Sequence, residues 1–171
     1  MINLVSINIV RFGILILLQV LVLNNIELFQ FVNPYLYVLF ILLLPVQIPH
    51  WLIMVTSFFM GLCIDILMNT IGMHIAASVL VAYIRPYILG VLIDRGKKDA
   101  EISLNFRQLG FERFLLYAVI MVFIHHTVLF YIEVFRMTEF FSTLGRVFLN
   151  SFFTLLLIVM SQFIFVKNTK D

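Results

Sequence analysis

Charge is what this sequence has least of. Aspartate, glutamate, lysine and arginine together make up 12% of its 171 residues, about half the share usual in a soluble domain. Hydrophobic residues make up 63%, against roughly 45–50% in soluble chains. A water-soluble monomer of this composition would expose more apolar surface than proteins can keep out of aggregates. The solvent for most of the chain is therefore lipid. Cysteine is almost missing as well. Cys63 stands alone, which excludes an intrachain disulfide and any paired-thiol metal site. Set in an apolar run, it reads as a small buried hydrophobe. The net charge of +2 is too small for a nucleic-acid footprint. There is no P-loop, no H-E-x-x-H and no G-x-S-x-G, so catalysis finds no support among the common motifs.

What the sequence does hold is a series of long apolar runs. A spanning helix needs about 20 such residues, because the hydrocarbon layer is about 30 Å thick and each residue rises about 1.5 Å. Helices are expected because lipid offers backbone groups no partners, and no period-2 alternation points to a β-barrel. Six spans are predicted, over about residues 9–28, 35–46, 51–68, 73–92, 114–132 and 147–166. Within the first, the apolar stretch from Phe12 to Leu23 follows Arg11 and resembles a signal-peptide core. Asn24-Asn25-Ile26-Glu27 brings no small-x-small cleavage site, so it is expected to remain as an uncleaved span.

The second span is the weakest. One apolar stretch runs from Tyr35 to Met68, too long for one helix and slightly short for two, and only the segment from Pro45 to Pro49 can break it. A re-entrant second segment would leave five spans and put the amino terminus outside. With six, Arg11, five basic residues in the loop 93–113, Lys167 and Lys170 gather on one side, against Arg136 and Arg146 on the other. Lysine and arginine mark the cytoplasmic side, so that loop and both termini are expected there. The loop alternates in sign and reads as a solvated connector beside anionic headgroups. A second polar loop is expected over 133–146, and no repeat or second domain is visible.

Polar groups inside the runs need a reason, since a charge at the bilayer centre costs roughly 2.5–3.5 kcal/mol. Span three carries Ser57, Gly61, Asp65 and Asn69 at every fourth position, and span four carries His74, Ser78, Ala82 and Arg85 along one stripe. Small and polar stripes let membrane helices approach and hydrogen-bond. The turn from Asn69 to Gly72 would fold these two spans into an antiparallel hairpin. Asp65 and His74 then lie at matching depth, a geometry read as a clamp near the outer interface in preference to a proton or ligand site. Arg85 lies roughly 18 Å away in depth by the helical rise, so an Asp65–Arg85 ion pair is not expected. It precedes Pro86 near the inner end, where snorkelling accounts for it. His125 and His126 are adjacent and diverge by about 100°, unlike the i, i+4 spacing of helical metal ligands. They are expected to pack against or hydrogen-bond another helix. His74 and Ser78 share a face without an orienting group, so no protease is read from them.

The ordered residues resemble a known family. Asn33-Pro34-Tyr35 opens a short apolar helix that ends at Pro45, and Gly61-Leu62-x-x-Asp65 follows. Next come Asn69-Thr70-x-Gly72-x-His74-x-Ala76-Ala77 and Tyr83-x-Arg85-Pro86. Together with the length, the span count and the basic loop, this pattern resembles the rod shape-determining protein MreD family along essentially the whole chain. The resemblance implies an all-α integral membrane protein of six helices, similar in fold to the substrate-binding subunits of energy-coupling-factor transporters. It also implies a non-catalytic scaffold for lateral peptidoglycan synthesis in the bacterial inner membrane. The implied partners are the membrane anchor of MreC and, around it, MreB, RodZ, RodA and a penicillin-binding transpeptidase. The matching positions are Pro34, Gly61, Asp65, Gly72, His74, Arg85 and Pro86, expected to act in helix packing or at a partner interface, as are Ser57, Asn69 and Ser78 from the stripes. No cofactor or metal is implied. Two other readings stay open: a vitamin-binding transporter subunit, and a membrane enzyme using Asp65 and His74 as acid and base.

Overall fold

Apolar runs surrounded by lipid satisfy their backbone groups internally, and most of the described residues do so in helices. The computed structural model describes residues 2–25, 32–93, 104–135 and 139–165, with side chains from residue 5 onward. The elements are α1 (Ile2–Leu21), a 3-10 turn (Leu23–Asn25), α2 (Val38–Leu43), α3 (His50–Met68), α4 (Met73–Leu92), α5 (Phe106–Leu109), α6 (Phe111–Val134) and α7 (Phe140–Phe165). There is no β-strand among the described residues. Helices α1, α3, α4, α6 and α7 are each long and apolar enough to cross a membrane. This is an all-α, multi-pass membrane protein.

Among the described residues five long helices carry the fold, and the expected second span is not one of them. Helix α2 has six residues, about 9 Å of rise. The expected loop 133–146 is mostly helical too. Glu133 closes α6, and Arg146 of α7 reaches back to it at 3.2 Å, so these charges need no polar connector. The end of span one (26–28), residues 94–103, Arg136 and the tail with Lys167 and Lys170 lie outside the described residues.

The hairpin of α3 and α4 is the tightest pairing. Its turn uses left-handed backbone at Asn69 (φ 54°) and Gly72 (φ 72°), the region these two residue types tolerate best. Gly61 sets the spacing. A Cβ at this position would lie 2.6 Å from Ile75 Cα and 2.7 Å from the His74 carbonyl oxygen. Ser57, Asp65, His74 and Ser78 are all buried in the same region. Of the two expected uses of this stripe, helix packing or a partner interface, the Gly61 face serves packing against α4 of the same chain.

From this hairpin α4 packs on α6 and α6 on α7. One end of the bundle holds the 69–72 turn, called here the hairpin end. The other holds Arg107 and Arg113, and is the basic end. Helix α1 is the least embedded, with 11% of its apolar stretch buried against 44% for α6.

Candidate functional site: a polar core around α2

Residues 32–44 form the centre of the molecule although only six of them are helical. Tyr37, Val38, Ile41 and Leu42 have no exposed surface at all. Non-helical backbone is tolerated at membrane depth when protein, not lipid, surrounds it. Its polar groups must then be met by side chains from the long helices, and they are.

At the start of the segment, Asn33 N–H donates to Asn150 Oδ1 (2.6 Å) and Tyr35 N–H to Thr154 Oγ1 (3.0 Å), both on α7. Gln19 of α1 donates to the carbonyl of Pro34 (3.1 Å). At the far end, α2 stops inside the protein, leaving carbonyls without helical partners. Tyr117 of α6 donates to Leu42 O (3.3 Å) and Arg11 of α1 lies 3.4 Å from Leu43 O. Arg85 of α4 donates to Leu44 O, and its Nε donates to the Tyr117 hydroxyl (3.1 Å). Two guanidinium groups thus face the carbonyl end of α2, where a helix dipole favours cations. Arg85 is 1% exposed. The expected snorkelling to the interface is replaced by a buried structural contact, because the broken end of α2 supplies carbonyl acceptors within reach.

These contacts fix the direction of the segment. Pro34 lies level with Gln19, Tyr37 with His74, and Leu44 with Arg85. It runs from the hairpin end toward the basic end, antiparallel to α1 and alongside α4.

Around Tyr37 the interior becomes aromatic and polar. Its hydroxyl lies 2.8 Å from His74 Nδ1 and 2.7 Å from His125 Nε2. His125 Nδ1 has no hydrogen-bond partner among the described residues. Burying a bare lone pair costs less than burying a bare N–H, so the His125 proton sits on Nε2 and is donated to Tyr37. The Tyr37 hydroxyl is then free to donate to His74. His126 bonds within its own helix and to α7: its Nδ1 donates to Val122 O (2.8 Å) and its Nε2 accepts from Thr154 Oγ1 (3.2 Å). The two adjacent histidines face different partners, as their helical divergence requires. No group of three metal-ligating residues is present among the described residues.

Asp65 works as a cap. Helix α4 has no capping side chain of its own at Gly72, and Asp65 crosses the turn to supply one. Its carboxylate accepts from Ile75 N–H (2.9 Å), His74 N–H (3.2 Å) and Thr70 Oγ1 (2.5 Å). The contact to His74 is thus through the main chain, while the imidazole points to Tyr37. Asn69 and Gly72 shape the turn, Pro34 opens the α2 segment, and Pro86 sits within α4 beside Arg85. The reading of the sequence singled out Asp65, His74 and Arg85 but missed Gln19, Tyr37, Tyr117, Asn150 and Thr154. The signal was there: each is a polar group within an otherwise apolar run.

Two cavities border the Pro45–Pro49 turn. One, of about 600 Å³, lies between α1 and α3 and is walled by Ile9, Phe12, Phe40, Leu52 and Phe59. The other, of about 220 Å³, lies between α3 and α4 and includes Arg85. Comparison with family models, curated proteins and solved structures finds no match for this chain.

Proposed function

We propose that this protein is a non-catalytic membrane scaffold of the MreD type, supporting lateral peptidoglycan synthesis and cell shape. One observation carries the reading. The residues of the resemblance are scattered over 34–86, yet Pro34, His74 and Arg85 meet at the α2 segment, and Asp65 holds the main chain of His74. Their polar atoms are spent on holding backbone and neighbouring side chains in place, which suits a rigid scaffold. A vitamin-binding subunit would need several polar groups converging on a cavity, whereas the larger cavity is walled mainly by aliphatic and phenyl side chains.

In this reading the α2 segment counts as a sixth crossing. The basic end then faces the cytoplasm, with both termini on that side, as the lysines and arginines favour. With the Gly61 stripe filled by α4, the MreC anchor needs another face. The groove between α1 and α3 is concave, apolar and bordered by the least embedded helix. Close packing, not water exclusion, would hold a helix there.

The test is co-purification with MreC from membranes. Ile9→Trp with Leu52→Trp fills the groove and is expected to lower recovery of MreC about tenfold, near 1.4 kcal/mol. Depletion of the protein should round the cells and scatter new wall material. Normal rods and normal lateral wall labelling after depletion would remove the proposed role.

A further inference from the structure

The smaller cavity brings a buried cation to an interfacial site. Val46, Ile48, His50, Ile53, Arg85 and Leu89 wall it at the basic end. Arg85 is held by Leu44 O and the Tyr117 hydroxyl, both neutral. No carboxylate pairs with it among the described residues, and Asp65 is engaged at the opposite end. A guanidinium stays charged in proteins, so a full positive charge sits in a low-dielectric wall with only dipoles against it. Such a charge is greatly favoured by an anion arriving beside it.

The surroundings indicate which anion. The His50 ring stacks on Tyr83 (centroids 6.5 Å apart, planes at 11°) and lies 6.2 Å from Tyr87, with Tyr83 and Tyr87 themselves 5.7 Å apart. Tyr83, Tyr87 and the neighbouring Trp51 are all well exposed. Tryptophan and tyrosine collect at headgroup depth in membranes. The cavity therefore combines a cationic wall, aliphatic walls from Ile48, Ile53 and Leu89, and a rim of exposed aromatic side chains of the kind that collect near headgroups.

We infer that this cavity binds a phosphate-bearing anion against Arg85, with an anionic phospholipid headgroup as the source favoured by its aromatic rim and aliphatic walls. The cavity meets the α1–α3 groove only at Ile48, and the inference does not depend on the role in wall growth.

Native mass spectrometry of the detergent-purified full chain tests this. Phosphatidylglycerol and phosphatidylcholine of equal acyl length are offered in parallel, and inorganic phosphate is added as a competitor. Phosphatidylglycerol is expected to be retained about tenfold better, the effect of one charge-assisted contact. Arg85→Gln, which keeps a donor for Leu44 O, should abolish that preference. Val46→Trp, which fills the cavity and leaves the guanidinium in place, should abolish it too and decides the matter if Arg85→Gln does not fold. Displacement of the lipid by phosphate would assign the same site to the free anion. Equal retention of the two lipids, or an undiminished preference in Val46→Trp, overturns the inference.

Discussion

The Tyr37 hydroxyl touches two histidines from two different helices, and no water-exposed group could replace it at that depth. Tyr37→Phe leaves His74 Nδ1 and His125 Nε2 buried without their partner. Each orphaned group costs about 1–3 kcal/mol, so the unfolding temperature in detergent should fall. A second change, His125→Phe, should then cost less in the Tyr37→Phe background than alone, a coupling readable by a double-mutant cycle. Asp65→Ala should also destabilise, since it uncaps α4. Asp65→Asn, which retains one carbonyl acceptor, should recover part of the loss. Residue spacing made the Asp65–His74 proximity legible in advance, because depth follows from helical rise. It could not assign partners. The unpaired N–H groups at the start of α4 claim the carboxylate, which frees the imidazole for Tyr37. Arg85 was misread for a related reason: snorkelling is the cheapest fate for an arginine beside lipid, but the sequence does not reveal that broken carbonyls lie within its reach.

Among the elements, the α3–α4 hairpin depends on a missing side chain. At Gly61 any Cβ meets main-chain atoms of α4, which cannot rotate away. Gly61→Leu should force the helices apart, at a cost of at least the 1–3 kcal/mol or so typical of overpacking. The expected result is a lower unfolding temperature or poor accumulation in membranes. Gly13→Leu is the control, because a Cβ there meets nothing within 4 Å; it should insert and melt normally. Long elements were readable from their apolar runs, and the hairpin from its two stripes and the Asn69–Gly72 turn. Helix α2 was readable only as a short apolar segment before Pro45. Its irregular backbone persists because side chains from α1, α4, α6 and α7 meet its polar groups, and such long-range contacts leave no local pattern. Helices α6 and α7 extend beyond the expected spans because Glu133 and Arg146, charged residues that suggest a loop in the sequence, pair with each other between the two helices.

For the whole molecule the decisive question is the side on which the Pro45–Pro49 turn emerges. In a Cys63→Ala background, single cysteines at Ile71, Phe135 and Gln47 report it. Ile71 and Phe135 lie at the hairpin end and are 96% and 91% exposed, and Gln47 is exposed beside the basic end. A membrane-impermeant maleimide should label Ile71→Cys and Phe135→Cys in intact spheroplasts, and Gln47→Cys only after the membrane is opened. Labelling of all three from outside would make α2 re-entrant and sink the six-crossing path. Overall charge asymmetry pointed to the same sidedness in the sequence, but the path of α2 depends on contacts that hydropathy does not encode.

The amides of Asn33 and Tyr35 find their acceptors on Asn150 and Thr154, 117 and 119 positions later in the chain. During synthesis the second apolar run leaves the ribosome long before those acceptors exist. Hydrocarbon offers it nothing in the meantime, so the earliest-but-one segment to be made must be the last to take its seat. Nascent chains arrested before α7 should accordingly hold residues 32–44 beside the insertion machinery, and release them into the bundle only once α7 has been delivered.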